Sequence, residues 1–81
     1  QVDTITVVNS IYPNPASAEL KISGIDDQSV TYSIYDMTGR LIETGHTNGY
    51  IHMDHLSSAE YILTWTIDGR SYIERFIKVS E

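Results

Sequence analysis

The sequence contains no cysteine and few cationic side chains. Without cysteine it can form neither a disulfide framework nor a thiolate metal site, so packing and sheet hydrogen bonds must supply its stability. Five lysine and arginine residues stand against eleven aspartate and glutamate residues, a formal net charge of -6. Such a surface repels phosphate, which makes nucleic acid and anionic membranes poor candidates as partners.

Long apolar runs are also missing. No segment approaches the roughly 20 residues of a membrane-spanning helix, and the start of the chain shows no signal peptide. The chain begins with Gln1 rather than methionine, so we expect it to be a fragment processed or excised from a longer protein. Its 81 residues, 41% of them hydrophobic, predict one domain near the small end of what folds unaided.

Proline is scarce and concentrated. The only two prolines are Pro13 and Pro15, and each moves the residue before it, Tyr12 or Asn14, out of the helical region. Neither proline has an N–H group for a hydrogen-bond ladder, so the segment cannot lie in the middle of a sheet. The pattern predicts a rigid corner at the entrance to a small domain.

Elsewhere, apolar and polar residues alternate with period two. The clearest case is Ser17 to Ser23, where Ala18, Leu20 and Ile22 share one face. We find no convincing helix, and the alternation predicts seven short strands: 2–8, 17–23, 30–35, 40–44, 50–54, 61–67 and 71–79. This is typical of a small antiparallel, immunoglobulin-like β-sandwich, an all-β fold.

Turn signals separate the strands. Asp36 and Gly39 occupy the first and last positions of a predicted type I turn, in which the aspartate accepts backbone hydrogen bonds and the glycine takes positive φ. The next strand is expected to stop at Gly45. Asn48–Gly49 predicts another turn, and Asp68–Gly69 predicts a two-residue hairpin.

Residues that suggest catalysis or metal binding are few. His46, His52 and His55 lie near Asp54, and imidazole with carboxylate suits Zn²⁺, but solvated polar residues are the more common explanation. Asp26–Asp27 is an adjacent acidic pair in a loop, whereas glycosidases need two carboxyl groups facing each other across a sugar. No Gly-x-Ser-x-Gly elbow is present. We therefore expect no enzyme, no metal and no cofactor.

Aromatic residues are numerous for so short a chain. Tyr61 and Trp65 share a face with Leu63, which predicts that they belong to the core. Tyr35 falls on the face opposite Ile34. There it either packs against neighbouring strands or forms an exposed recognition residue, such as part of a sugar-stacking platform.

Three segments occur in a recognisable order. Tyr12–Ala16 precedes an alternating strand, Ile34–Ile42 contains the Asp-x-x-Gly turn, and Leu56–Leu63 precedes a closing strand that ends Phe76–Val79. Each is common alone, but the ordered set resembles the C-terminal sorting domain of the type IX secretion system of Bacteroidetes (Por secretion tail, type A), from about Ser10 to Val79. One departure is Ala59, where the family usually has glycine; a left-handed backbone there would bring Cβ into a clash.

The resemblance implies an immunoglobulin-like domain that does no chemistry itself and is fused behind cargo. It implies that the cargo reaches the periplasm, that the outer-membrane translocon recognises the folded tail, and that a sortase-like peptidase commonly removes it. The cargo then reaches the cell surface or the extracellular space. Residues 1–9 would be an N-terminal strand or linker from the missing cargo, and residues 10–81 the C-terminal sorting domain.

The expected partners are the type IX translocon, the sortase-like peptidase and the cargo, with no nucleic acid. A homodimer could form through an edge strand, either the first or the last. For Pro13 and Asp36 we expect the role in the fold to come before any role in contact with a partner. The alternative hypotheses are an immunoglobulin-like accessory module binding carbohydrate or protein beside a secreted enzyme, and a purely structural spacer. The residues expected to carry recognition or the motif are Pro13, Asn14, Pro15, Ala16, Asp36, Gly39, Tyr61 and Lys78.

Overall fold

The computed structural model describes residues 11–13, 15–25 and 28–79. They form seven strands in two antiparallel sheets, one of three strands in the order β1-β2-β5 and one of four in the order β4-β3-β6-β7. The strands are β1 Ile11–Tyr12, β2 Glu19–Ile22, β3 Val30–Asp36, β4 Leu41–Thr47, β5 Tyr50–His52, β6 Ala59–Ile67 and β7 Arg70–Lys78. This confirms the predicted all-β fold.

Two predictions cannot be compared with these strands. The strand expected at Val2–Val8 and the acidic pair Asp26–Asp27 lie outside the described residues. No helix long and apolar enough to cross a membrane occurs in the part of the chain that is described.

The core lies between the inner faces of the two sheets. Tyr61 stacks on Phe76 with ring centroids 5.6 Å apart, and Trp65 stacks on Tyr72 at 5.5 Å. Tyr61 and Trp65 are buried, so their predicted assignment to the core is confirmed. The largest fully buried side chains are Phe76, Leu20, Ile22, Ile34, Met53 and Leu63.

The prediction that the fourth strand stops at Gly45 is wrong. Strand β4 continues to Thr47, and Gly45 pairs with Tyr32 of β3. A Cβ atom on Gly45 would lie 3.2 Å from the Tyr32 hydroxyl oxygen and 3.3 Å from the ring. The glycine therefore makes room for an aromatic ring that lies against the strand, and it does not end the strand.

Strand β2 is shorter than the alternation predicts. It begins at Glu19, and Ala18 is exposed although it was expected on the apolar face. The Ala18 carbonyl instead accepts a hydrogen bond of 2.8 Å from the Met53 N–H. Leu56, in the connection between β5 and β6, is buried.

The two turns with the strongest sequence signals form as predicted. At the β3–β4 turn, the Gly39 N–H donates to the Asp36 carbonyl at 3.0 Å, and Gly39 has φ of +91°. At the β6–β7 hairpin, Asp68 and Gly69 have φ of +50° and +81°, the pair of positive angles that a type I′ turn requires. Ala59 is not among the described positive-φ residues; it lies in β6, where a Cβ atom is accommodated.

Candidate recognition site

The proline corner follows an edge strand. Within the described residues strand β1 pairs only with β2, so Pro13 and Pro15 lie at the margin of the small sheet, as the missing N–H groups predict. The Tyr12–Pro13 peptide bond is cis, and both prolines are exposed. Asn14 lies outside the described residues.

Ala16 attaches this corner to the last strand of the large sheet. It forms a parallel bridge with Lys78 and has no exposed surface. Its N–H donates to the Ile77 carbonyl at 2.8 Å, and its carbonyl accepts from the Val79 N–H at 2.8 Å. A residue from the first motif is thus held between two backbone groups at the end of β7.

The third motif is supported from the core. Lys78 is only 5% exposed, and its ammonium donates to the Leu56 carbonyl at 3.1 Å. The Tyr61 hydroxyl donates to the Ser57 carbonyl at 2.8 Å. Two side chains from β6 and β7 therefore hold the loop before β6. The sequence signal for the burial of Lys78 is its position two residues after Phe76, since residues two apart on a strand share a face.

The second motif forms a turn held by one carboxylate. Asp36 Oδ1 accepts hydrogen bonds from the Thr38 N–H at 2.9 Å, the Thr38 hydroxyl at 2.6 Å and the Arg40 N–H at 3.0 Å. The Thr38 hydroxyl, followed by the backbone N–H of Arg40, holds the pKa of Asp36 below its usual value. Asp36 thus accepts backbone hydrogen bonds of the turn as predicted, and Gly39 is exposed in the turn.

The register places these three motifs at the same end of the sandwich. Asp36 pairs with Tyr61, Ala59 pairs with Lys78, and Lys78 bridges to Ala16. We call this region the motif end: Pro15–Ala16, the turn 36–39, the loop 56–58, Tyr61 and Lys78. Segments far apart in sequence are therefore neighbours across strands, and hydrogen bonds join two of them directly.

The family model for the secretion system C-terminal sorting domain matches residues 10–79, which include all three segments. The chain belongs to the type IX secretion C-terminal sorting domain family. A comparison with curated proteins found no match. Family membership supports the role of a sorting signal, with interaction with the type IX machinery and attachment to N-terminal cargo, and implies export to the cell surface or the extracellular space.

The sorting domain also contains a charged cluster that sequence reasoning missed. Glu43 lies opposite Ile34 on the inner side of β4, which is an edge strand among the residues described. The Tyr32 hydroxyl donates to its Oε2 at 2.6 Å, and His55 Nε2 bonds its Oε1. These three residues come from two strands and a loop, so no local sequence spacing signals the contact. An inward charge on an edge strand also discourages pairing with other chains.

The cluster shifts two ionisation equilibria. Burial, reinforced by the hydrogen bond to Glu43, raises the pKa of Tyr32 to about 12. Burial alone would raise the pKa of Glu43, but the hydrogen bonds from Tyr32 and His55 outweigh it and hold that pKa below its usual value. The ionised form of Glu43 is therefore favoured in the folded sorting domain.

Replacing Glu43 with glutamine is expected to weaken the dependence of stability on acidic pH. The contribution of Glu43 is present above its ordinary pKa of 4.5 and is lost as the pH falls through the lower pKa of the folded state. Urea unfolding at successive pH values below 4.5 should show a shallower loss of unfolding free energy for Glu43→Gln than for the wild type. Glu19→Gln, at an exposed position in β2, is the control for the substitution itself. Equal slopes for Glu43→Gln and the wild type would contradict the assignment.

The histidines are dispersed over the sorting domain. His46 Nδ1 lies 3.3 Å from the Thr31 hydroxyl oxygen, His55 bonds Glu43, and His52 pairs with Glu19 in the small sheet. Among the residues described, no three histidine or carboxylate side chains could hold a metal ion.

Tyr35, the other candidate for recognition, is half-buried on the outer face of the large sheet. It pairs there with Leu41 on one side and Ile62 on the other. This placement favours cross-strand packing over a free stacking platform.

Proposed function

We propose that this sorting domain is a non-catalytic tail that directs fused cargo across the outer membrane, and that the translocon recognises its motif end. The observation that carries the proposal is the meeting of three separated segments at one end of the sandwich. A recognition surface built from distant segments exists only in the folded domain. Recognition of the folded tail therefore needs no linear peptide signal.

The motif end divides into supporting and presenting residues. Ala16, Tyr61 and Lys78 are buried, so we assign them to holding the surface in place. Pro15, Gly39 and the neighbouring turn residue Met37, 47% exposed, present side chain or backbone to a partner. Pro13 and Asn14 belong to the same motif and complete the proposed contact region. Exposed apolar surface beside a rigid backbone is a common basis for protein recognition.

The proposal extends to the remainder of the export route. Residues 10–81 form the sorting domain, and residues 1–9 connect it to the cargo. The cargo passes through the periplasm, and a sortase-like peptidase removes the tail once the cargo has crossed. Pairing of an edge strand with a second copy stays a prediction. The bridge from Ala16 already occupies the C-terminal end of β7.

A fusion experiment tests the route. The whole chain is placed behind a periplasmic reporter in a secretion-competent Bacteroidetes strain, with a known sorting tail as positive control and an unrelated β-sandwich as negative control. We expect the reporter in the medium or on the cell surface only with the chain and the known tail. A reporter that stays periplasmic while the known tail exports it would overturn the proposal, and equal export by the unrelated sandwich would favour a mere spacer.

The same experiment tests removal of the tail. The exported reporter is purified and its mass is measured. A mass equal to the reporter without residues 10–81 supports processing by the peptidase, whereas an intact fusion outside the cell argues against that step and leaves the sorting role standing.

A further inference from the structure

The outer face of the small sheet carries a groove that sorting does not explain. Tyr12 pairs with Lys21, and Lys21 pairs with Tyr50, so the three side chains form one row across β1, β2 and β5. The Lys21 ammonium lies 5.8 Å from the Tyr12 ring centroid and 5.3 Å from that of Tyr50. Tyr12 is 44% exposed and Tyr50 is 52% exposed. Two large aromatic side chains thus remain accessible on either side of a cation.

The groove has the size and lining of a small-ligand site. Its volume is about 400 Å³, within the range of about 300–1,000 Å³ that is typical of ligand pockets. The tyrosine rings and Pro13 give it apolar walls, while Lys21 and Glu19 also line it. A mostly apolar cleft with a few polar groups is the usual form of such sites.

The charges in the groove select the kind of ligand. Lys21 supplies N–H donors and Glu19 supplies carboxylate acceptors, one charge of each sign. Within the described residues, Lys21 has no carboxylate at ion-pair distance. Hydrogen bonding with Tyr12, followed by the influence of Tyr50, holds the pKa of Lys21 above its usual value, so it stays a cation. A ligand of one charge sign is attracted by one of these two groups and repelled by the other, whereas a neutral polar ligand can form hydrogen bonds with both.

We propose that this groove binds a neutral pyranose residue of a glycan. Sugar hydroxyls both donate and accept hydrogen bonds, so one sugar satisfies Glu19 and Lys21 together. The apolar C–H face of the ring packs on an exposed tyrosine, which has an apolar body and a polar tip. A purely apolar ligand would leave both charges desolvated without partners. This binding activity is distinct from sorting: Pro13 lies both in the groove and in the proposed contact region, but no residue of the turn 36–39 lines the groove.

Titration by nuclear magnetic resonance tests the proposal on the whole labelled chain. The probes are cellohexaose, laminarihexaose, maltohexaose, mannohexaose and xylohexaose, with an oligogalacturonate as the anionic counterpart. We expect at least one neutral oligosaccharide to shift the amide signals of Tyr12, Lys21 and Tyr50, and the oligogalacturonate to bind more weakly. Absence of these shifts with every neutral probe, or tighter binding of the oligogalacturonate, would overturn the proposal.

Variants then locate the site. Tyr50→Ala, and independently Tyr12→Ala, should each weaken binding of the neutral oligosaccharide by about two- to tenfold, the worth of one aromatic contact. Ile73→Ala removes an exposed apolar side chain from the other sheet and should leave the affinity unchanged. An amide NMR spectrum as well dispersed as that of the wild type shows that a variant is folded. Unchanged affinity in both folded tyrosine variants would place binding elsewhere and refute the groove.

Discussion

Phe76→Ala is expected to lower the free energy of unfolding by about 3–5 kcal/mol, the usual cost of emptying a large buried aromatic site. Phe76 has no exposed surface and stacks on Tyr61, which in turn holds the loop 56–58. Because small domains are stabilised by only about 5–15 kcal/mol in total, the variant retains little stability. Urea unfolding followed by the fluorescence of Trp65 measures the loss.

The matched control for this prediction is Ile73→Ala on the same strand. Ile73 is 69% exposed, so its truncation should change the unfolding free energy by no more than about 0.5 kcal/mol. Similar losses in the two variants would contradict the assignment of Phe76 to the core and of Ile73 to the outer face of β7.

Ala16→Asp is expected to be about as damaging as Phe76→Ala. Ala16 is fully buried between β7 and the proline corner, and a polar group placed there without partners costs about 2–7 kcal/mol. Because the new carboxylate must reach water, the bonds to the Ile77 carbonyl and the Val79 N–H have to break. We expect reduced stability in urea and loss of export in the reporter fusion.

Ala18→Asp is the control for this substitution. Ala18 lies two residues further along and is exposed, so the same carboxylate reaches solvent there without disturbing the bridge to β7. It should retain both stability and export. Equal stability of Ala16→Asp and Ala18→Asp would contradict the structural role of Ala16. Loss of stability with undiminished export would separate the corner from recognition by the translocon.

Much of the large sheet could be predicted from sequence because its signals are local. In β6, Tyr61, Leu63 and Trp65 alternate with half-buried or exposed residues, and a strand with one buried face produces that pattern directly. The Asp68–Gly69 hairpin was equally predictable, since few residue pairs adopt two successive positive φ angles. The motif residues were predictable only as an ordered set, because each segment by itself is a common turn or strand.

The errors share a different physical origin. Gly45 resembles a strand stop locally, but the Tyr32 ring on the neighbouring strand determines its role. The contact of Glu43 with His55 joins a strand to a distant loop, and the Lys78 ammonium, whose burial the strand pattern does indicate, finds its hydrogen-bond partner in that same loop. Contacts between segments that are distant in sequence produce no regular pattern of polar and apolar residues. The period-two pattern therefore predicts which residues of a long strand are buried. It does not predict the side-chain contacts that link strands to distant loops.

The bridge between Ala16 and Lys78 determines when, during synthesis of the chain, the motif end can form. Ala16 comes early in the domain, whereas both of its backbone partners, Ile77 and Val79, come at the very end. A chain truncated before β7 still contains the proline corner and the turn at Asp36, yet it lacks the groups that hold Ala16. The motif end is therefore complete only after β7 has been synthesised and has paired with Ala16.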